Sequence, residues 1–164
     1  MVRPFVRPLQ GTEREMLQAN LDFLRDALAA KVEGITRVQA VRSLVPSMTT
    51  LLGLLKHSTD TQECWFRQRM KGEDIPLTYY RPDDEDADWR IDQHDTVESV
   101  VAAFRDACGR ADRSVAGCSL DDVAPGTGGG RTLRWIYLLM IEETARHCVH
   151  ADIIRELTDG TTGE

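Results

Sequence analysis

"LRWIYLLMIEETARHCVHADIIREL" (residues 133–157) reads as one long helix. Thr132 stands before it as an N-cap and Gly160 follows as a stop signal. At about 3.6 residues per turn, Leu133, Ile136, Met140, Glu143, His147 and Ile154 fall on one side. Glu143 and His147 therefore take positions in an apolar stripe where leucines are expected. A lone buried carboxylate is costly unless it is paired or coordinates a metal. Side chains at i and i+4 share one patch of a helix, a workable geometry for two ligands of one divalent ion.

Three more helices are legible on either side of the loops. Thr12, with Glu13 and Glu15 behind it, opens the first, and Leu17, Leu21, Leu24 and Leu28 form its apolar face up to Gly34. A short helical turn is expected within Val38–Val45. The second helix is expected from Ser47 to about Met70, closed by Gly72 and Pro76. Residues 71–93 read as loop, and the run "RPDDEDADWR" as a solvated acidic surface without calcium-loop spacing. Asp95 with Glu98 forms a capping box for the third helix, which buries Val97, Val100, Val101, Phe104 and Cys108. "DDVAPGTGGG" reads as a flexible connection, since no strand precedes it and no Gly-Lys-Ser/Thr follows. No segment alternates at period two, so the expected fold is all-α, a four-helix bundle.

Composition narrows the function. The chain has 164 residues, 41% hydrophobic and 29% charged, as expected of a single soluble domain spanning 1–164. A net charge of −7 argues against nucleic acid as a partner, because phosphate binding needs a basic face. "LRWIYLLMI" is too short to span a bilayer, and "MVRPFVRPLQ" lacks the apolar run of a secretory signal. No membrane association and a cytoplasmic location are expected. Cys64, Cys108, Cys118 and Cys148 form no close pair, so reduced thiols rather than a cysteine zinc knuckle are expected.

A third ligand for the Glu143/His147 pair has to come from another helix. His94 sits in a capping turn, where a solvated role is expected. His57 lies in "LLGLLKHSTDTQECWF", beside Leu54, with Gly53 leaving space nearby. A histidine on a core face is more often a hydrogen-bonded core residue than a ligand, but a second helix with an inward Glu-x-x-x-His makes His57/Glu143/His147 a candidate mononuclear site. Three protein ligands leave a fourth position open, as in catalytic zinc sites. His150, a turn past His147, is a candidate proton shuttle, second-shell group or further ligand. Cys64 shares the face of His57, where a small buried apolar role competes with a catalytic one. Cys148 is rotated about 100° from His147 and is no ligand candidate. Arg131, Arg134 and Trp135 stand where substrate contact is conceivable, with a surface role expected for the arginines.

The pairing of "LLKHSTDTQECWF" with "EETARHCVHAD" resembles the DinB/YfiT-like superfamily of metal-binding four-helix bundles. The glutamate departs from the commoner His-x-x-x-His and is similar to the actinobacterial branch that includes the metal-binding domain of mycothiol-dependent maleylpyruvate isomerase. The resemblance runs from about residue 12 to 157. It implies an up-down-down-up bundle with a long crossover, a homodimer, and a divalent metal, zinc or nickel, on His57, Glu143 and His147. It also implies an enzyme joining a low-molecular-weight thiol such as mycothiol to an electrophilic substrate, with the metal activating the thiolate and His150 taking the proton. The isomerase carries an additional C-terminal domain that this sequence does not include, so transferase activity is expected over isomerisation. A metal-dependent hydrolase on the same triad, or a non-catalytic dimeric bundle, are the alternatives.

Overall fold

A computed structural model describes residues 8–125 and 130–163. Its elements are α1 (Glu13–Ala30), α2 (Arg37–Ala40), α3 (Leu51–Gln62), α4 (Val97–Val115) and α5 (Leu133–Asp159), with α3 continuing as a π-helical stretch over Glu63–Arg69. No strand occurs among the described residues, so the all-α expectation holds. Most of the glycine run, residues 126–129, lies outside the described residues.

The helix ends follow local capping chemistry. Thr12 and Glu15 form a reciprocal capping box at α1. α3 starts later than Ser47: Thr50 is the N-cap and accepts from the Gly53 amide, while the Ser47 hydroxyl is spent on Thr49. The box at α4 is Thr96 with Ser99 rather than Asp95 with Glu98. Asp95 is engaged elsewhere, by the Lys56 ammonium at 2.6 Å and the Asp92 amide at 2.7 Å. Thr132 caps α5 as expected, and Gly160 ends it at φ +80°, the left-handed conformation that glycine adopts without steric cost.

Side-chain contacts fix the helix directions. Arg134 at the start of α5 meets Glu13 at the start of α1, and Arg155 near its end meets the Lys31 carbonyl, so α1 and α5 run parallel. Arg14 bonds the carbonyl of Val115, the last residue of α4, and that of Cys118 beyond it, so α1 and α4 are antiparallel. Lys56 meets Asp95 and Glu63 meets Arg110, so the α3 and α4 rods run parallel. Two parallel neighbours need a return connection the length of the bundle. Residues 71–96 supply it, giving the up-down-down-up order with a long crossover.

The apolar core divides into two clusters. One packs Leu28, Leu51, Leu55, Phe104, Ala151 and Ile154 together. The other packs Leu21, Phe66, Leu133, Ile136, Tyr137 and Met140. Between them every long helix places polar side chains: Arg25 on α1, Asp60 and Gln62 on α3, Asp112 on α4, Thr144 and His147 on α5. On one side of this layer the Arg25 guanidinium bonds Gln62 at 2.6 Å and Asp112 at 2.8 Å, tying three helices together. The candidate site occupies the other side.

Candidate functional site

His147 is buried, 8% exposed, on the inward face of α5. Neither of its ring nitrogens has a hydrogen-bond partner. Burial pushes its pKa down to about 4, with His57 and His150 adding like-charge repulsion, so the ring is neutral at physiological pH. Its neighbours are the residues singled out by spacing. The His57 ring stands edge-on to it with centroids 5.2 Å apart. Glu143 Oε2 is 4.0 Å from Nε2, too long for a hydrogen bond.

Glu143 is less buried than the stripe on α5 suggests. Its side chain is 37% exposed, and Thr144 takes the core position beside it, bonding the Met140 carbonyl. Glu143 instead lines a cavity of about 370 Å³. His57, Thr61 and Cys64 form one wall of this cavity, and Leu139 and Glu143 another. Cys64 thus shares the face of His57, seven residues along. The π-helical stretch starts at the adjacent Glu63. Such stretches recur at functional sites, and no pattern in the sequence announces this one.

The third wall comes from the crossover, and here the reading of 81–90 as solvated surface needs correction. Asp88 accepts from His57 Nδ1 at 2.7 Å with its carboxylate only 13% exposed. Trp89 stacks on the His57 ring, centroids 4.5 Å apart and planes 20° from parallel, and meets His147 edge-on at 6.3 Å. The rest of the run remains at the surface, with Asp84 paired to Arg90. The space left by Gly53 is filled by this segment: a Cβ there would lie 3.2 Å from the Trp89 carbonyl oxygen. Two further residues of α3 hold the crossover down. Lys56, 3% exposed, donates to the Arg90 carbonyl and to Asp95 and lies 4.5 Å from the Tyr79 ring. Asp60 accepts from the amides of Thr78, Tyr79 and Tyr80, and burial raises its pKa against those donors.

Other singled-out residues fall outside this group. His150 is exposed, its ring 6.3 Å from that of His147, and faces a separate recess with Val45, Ser47, Thr49 and Ile153. His94 is exposed, and its backbone amide bonds the Asp92 carboxylate. Cys148 turns to α1, its thiol on the Leu24 carbonyl. Arg134 pairs with Glu13 and Asp121 at the surface, whereas Arg131 lies over the rings of Trp135 and Trp65, the latter a lining residue of the cavity. Nothing in the sequence links Asp88 to His57, because the two are 31 residues apart and joined only by the fold; Gly53 was the one local hint.

Among the described residues, no three His, Cys, Asp or Glu side chains stand in a ready metal-holding arrangement. The residues nevertheless suit a cation. A buried neutral imidazole with both nitrogens idle has its lone pair available, a second imidazole and a carboxylate adjoin it, and Glu143 has the exposure and torsional freedom to adjust.

Comparison with known proteins agrees with the fold and specifies the family. A crystal structure of a conserved protein from Enterococcus faecalis superposes with a TM-score of 0.67, covering 93% of this chain and all of that one at 12% identity, a likeness of fold alone. No curated protein matches the sequence. The sequence model of a family described as mycothiol-S-transferase matches residues 16–160, nearly the whole length. The chain belongs to the mycothiol-S-transferase family, within the DinB/YfiT-like proteins.

Proposed function

We propose that this protein transfers the thiol of mycothiol to an electrophilic small molecule, at a site where His57, Glu143 and His147 hold one divalent cation, zinc or nickel. The carrying observation is His147: a buried imidazole with neither nitrogen paired, beside a second histidine and a carboxylate at the inner wall of a cavity. Each buried polar group left unpaired costs about 1–3 kcal/mol, a cost that a ligand to the ring offsets. Two imidazoles and a carboxylate are a donor set that zinc and nickel accept. A bound divalent cation would hold a coordinated thiol as thiolate at neutral pH.

The protein's own groups divide the remaining work. In the transfer the S–H bond breaks, the sulfur pair bonds the electrophilic carbon, and that carbon's leaving group departs with its bonding pair. Leu139, Leu77 and Trp65 give the cavity an apolar side on which an uncharged electrophile can rest out of water. The proton acceptor in this reading is His150: its ring centroid lies 6.3 Å from that of His147 and faces a neighbouring recess, so the thiol proton would reach it by way of water.

Purified protein incubated with mycothiol, zinc and a panel of electrophiles tests this. Mass spectrometry should find the S-conjugate formed faster than in buffer, and His147→Ala should lose that gain. An electrophile consumed without loss of thiol would make the enzyme a hydrolase instead, and no acceleration by wild-type protein at any metal would end the proposal.

A further inference from the structure

We propose that the crossover is the positioning device for His57, with Asp88 and Trp89 holding its ring in the Nδ1–H tautomer and leaving the Nε2 lone pair free for a cation. This rests on the reading of His57 as a ligand. A carboxylate oxygen only accepts, so the 2.7 Å contact with Asp88 places the hydrogen on Nδ1. In the neutral ring, Nε2 then keeps its lone pair. Its polar neighbour is Thr61 Oγ1 at 3.5 Å, and that hydroxyl donates instead to the His57 carbonyl at 2.8 Å. The Trp89 ring, stacked on one face of the imidazole, opposes rotation.

The segment is itself fastened. Lys56 holds the Arg90 carbonyl at 2.5 Å, and the missing Cβ of Gly53 admits the Trp89 carbonyl against α3. Residues 53, 56, 57 and 60 recur on one face of the helix, so one face of α3 docks the crossover and carries the candidate ligand. Carboxylates that fix the tautomer of a metal-binding histidine typically change metal affinity about 10- to 100-fold when removed.

The test uses two readouts on full-length protein. Long-range ¹H–¹⁵N NMR of the metal-free protein should show His57 as the Nδ1–H tautomer in wild type and as a mixture in Asp88→Ala. Asp88→Asn, whose amide oxygen still accepts, should largely restore it. Competition with a chromophoric chelator should show zinc affinity falling about 10- to 100-fold in Asp88→Ala and less in Asp88→Asn. Circular dichroism confirms that each variant is folded. If wild type takes up no zinc but the tautomer shifts, the positioning role stands and the metal reading fails. If wild type binds zinc and Asp88→Ala changes neither tautomer nor affinity, the metal reading stands and the positioning role is overturned.

Discussion

An imidazole buried with two idle nitrogens is a cost that folding does not require, since a leucine fits the same stripe. His147 carries that cost, and the i, i+4 spacing to Glu143 made it visible in the sequence. Two things were not visible. Glu143 sits at the edge of the core, because a period of 3.6 gives a face but not how far that face reaches the surface. Asp88 looked like one acid among several, and only its partner distinguishes it from Asp84. The cysteines separate in the same way. Burial raises the Cys108 thiol from about 9 to about 12. A raised value means that the fold favours the neutral thiol; this contribution is whole below pH ~9 and fades as pH climbs toward ~12. Cys108 is buried at the floor of a recess beside Arg25, whereas Cys64 is only partly buried and lines the cavity next to His57. Iodoacetamide at mildly alkaline pH, followed by peptide mapping, should label Cys64 in the native protein and Cys108 only after denaturant. Equal labelling of both without denaturant would contradict this burial.

At the scale of elements, helices were legible to within a few residues, and their ends were decided by competition for side chains. Asp95 has the right identity for a cap, yet a buried ammonium outbids the helix amides, leaving the cap to Thr96. The crossover was legible only as a loop, since its attachment to α3 depends on contacts distant in sequence. Gly53→Ala examines that attachment. Alanine gains about 1 kcal/mol of helix propensity over glycine. Its Cβ would also stand 3.1 Å from the Thr50 cap hydroxyl and 3.2 Å from the Trp89 carbonyl, in a segment whose next carbonyl is pinned by Lys56. The two effects oppose each other in stability, so the melting temperature should move little. The Trp89–His57 stack should open, read as a changed Trp89 environment by NMR and a several-fold weaker zinc affinity. Unchanged spectra and affinity would show that the loop gives way freely.

Across the whole molecule, the polar layer between two apolar clusters is the organising feature. Arg25 with Gln62 Oε1 and Asp112 ties one side of it together, with Gln62 Nε2 left over, while the other side leaves both ring nitrogens of His147 unpaired next to His57 and Glu143, which line a cavity. A bundle built only for stability has no need of the second arrangement. A ligand that binds the folded state alone stabilises it by about 2.7 kcal/mol at a hundred times its dissociation constant. In a protein of this size each kcal/mol is worth about 2–4 °C. The most direct measurement is therefore zinc content and melting temperature of metal-loaded and chelator-treated protein, for wild type and His147→Ala side by side. Wild type should hold one zinc per chain and melt about 5–10 °C higher when loaded, while His147→Ala keeps its helical circular dichroism and holds none. Wild type that takes up no zinc or nickel, or a His147→Ala variant that binds zinc as fully as wild type, would contradict a metal centre at His57, Glu143 and His147.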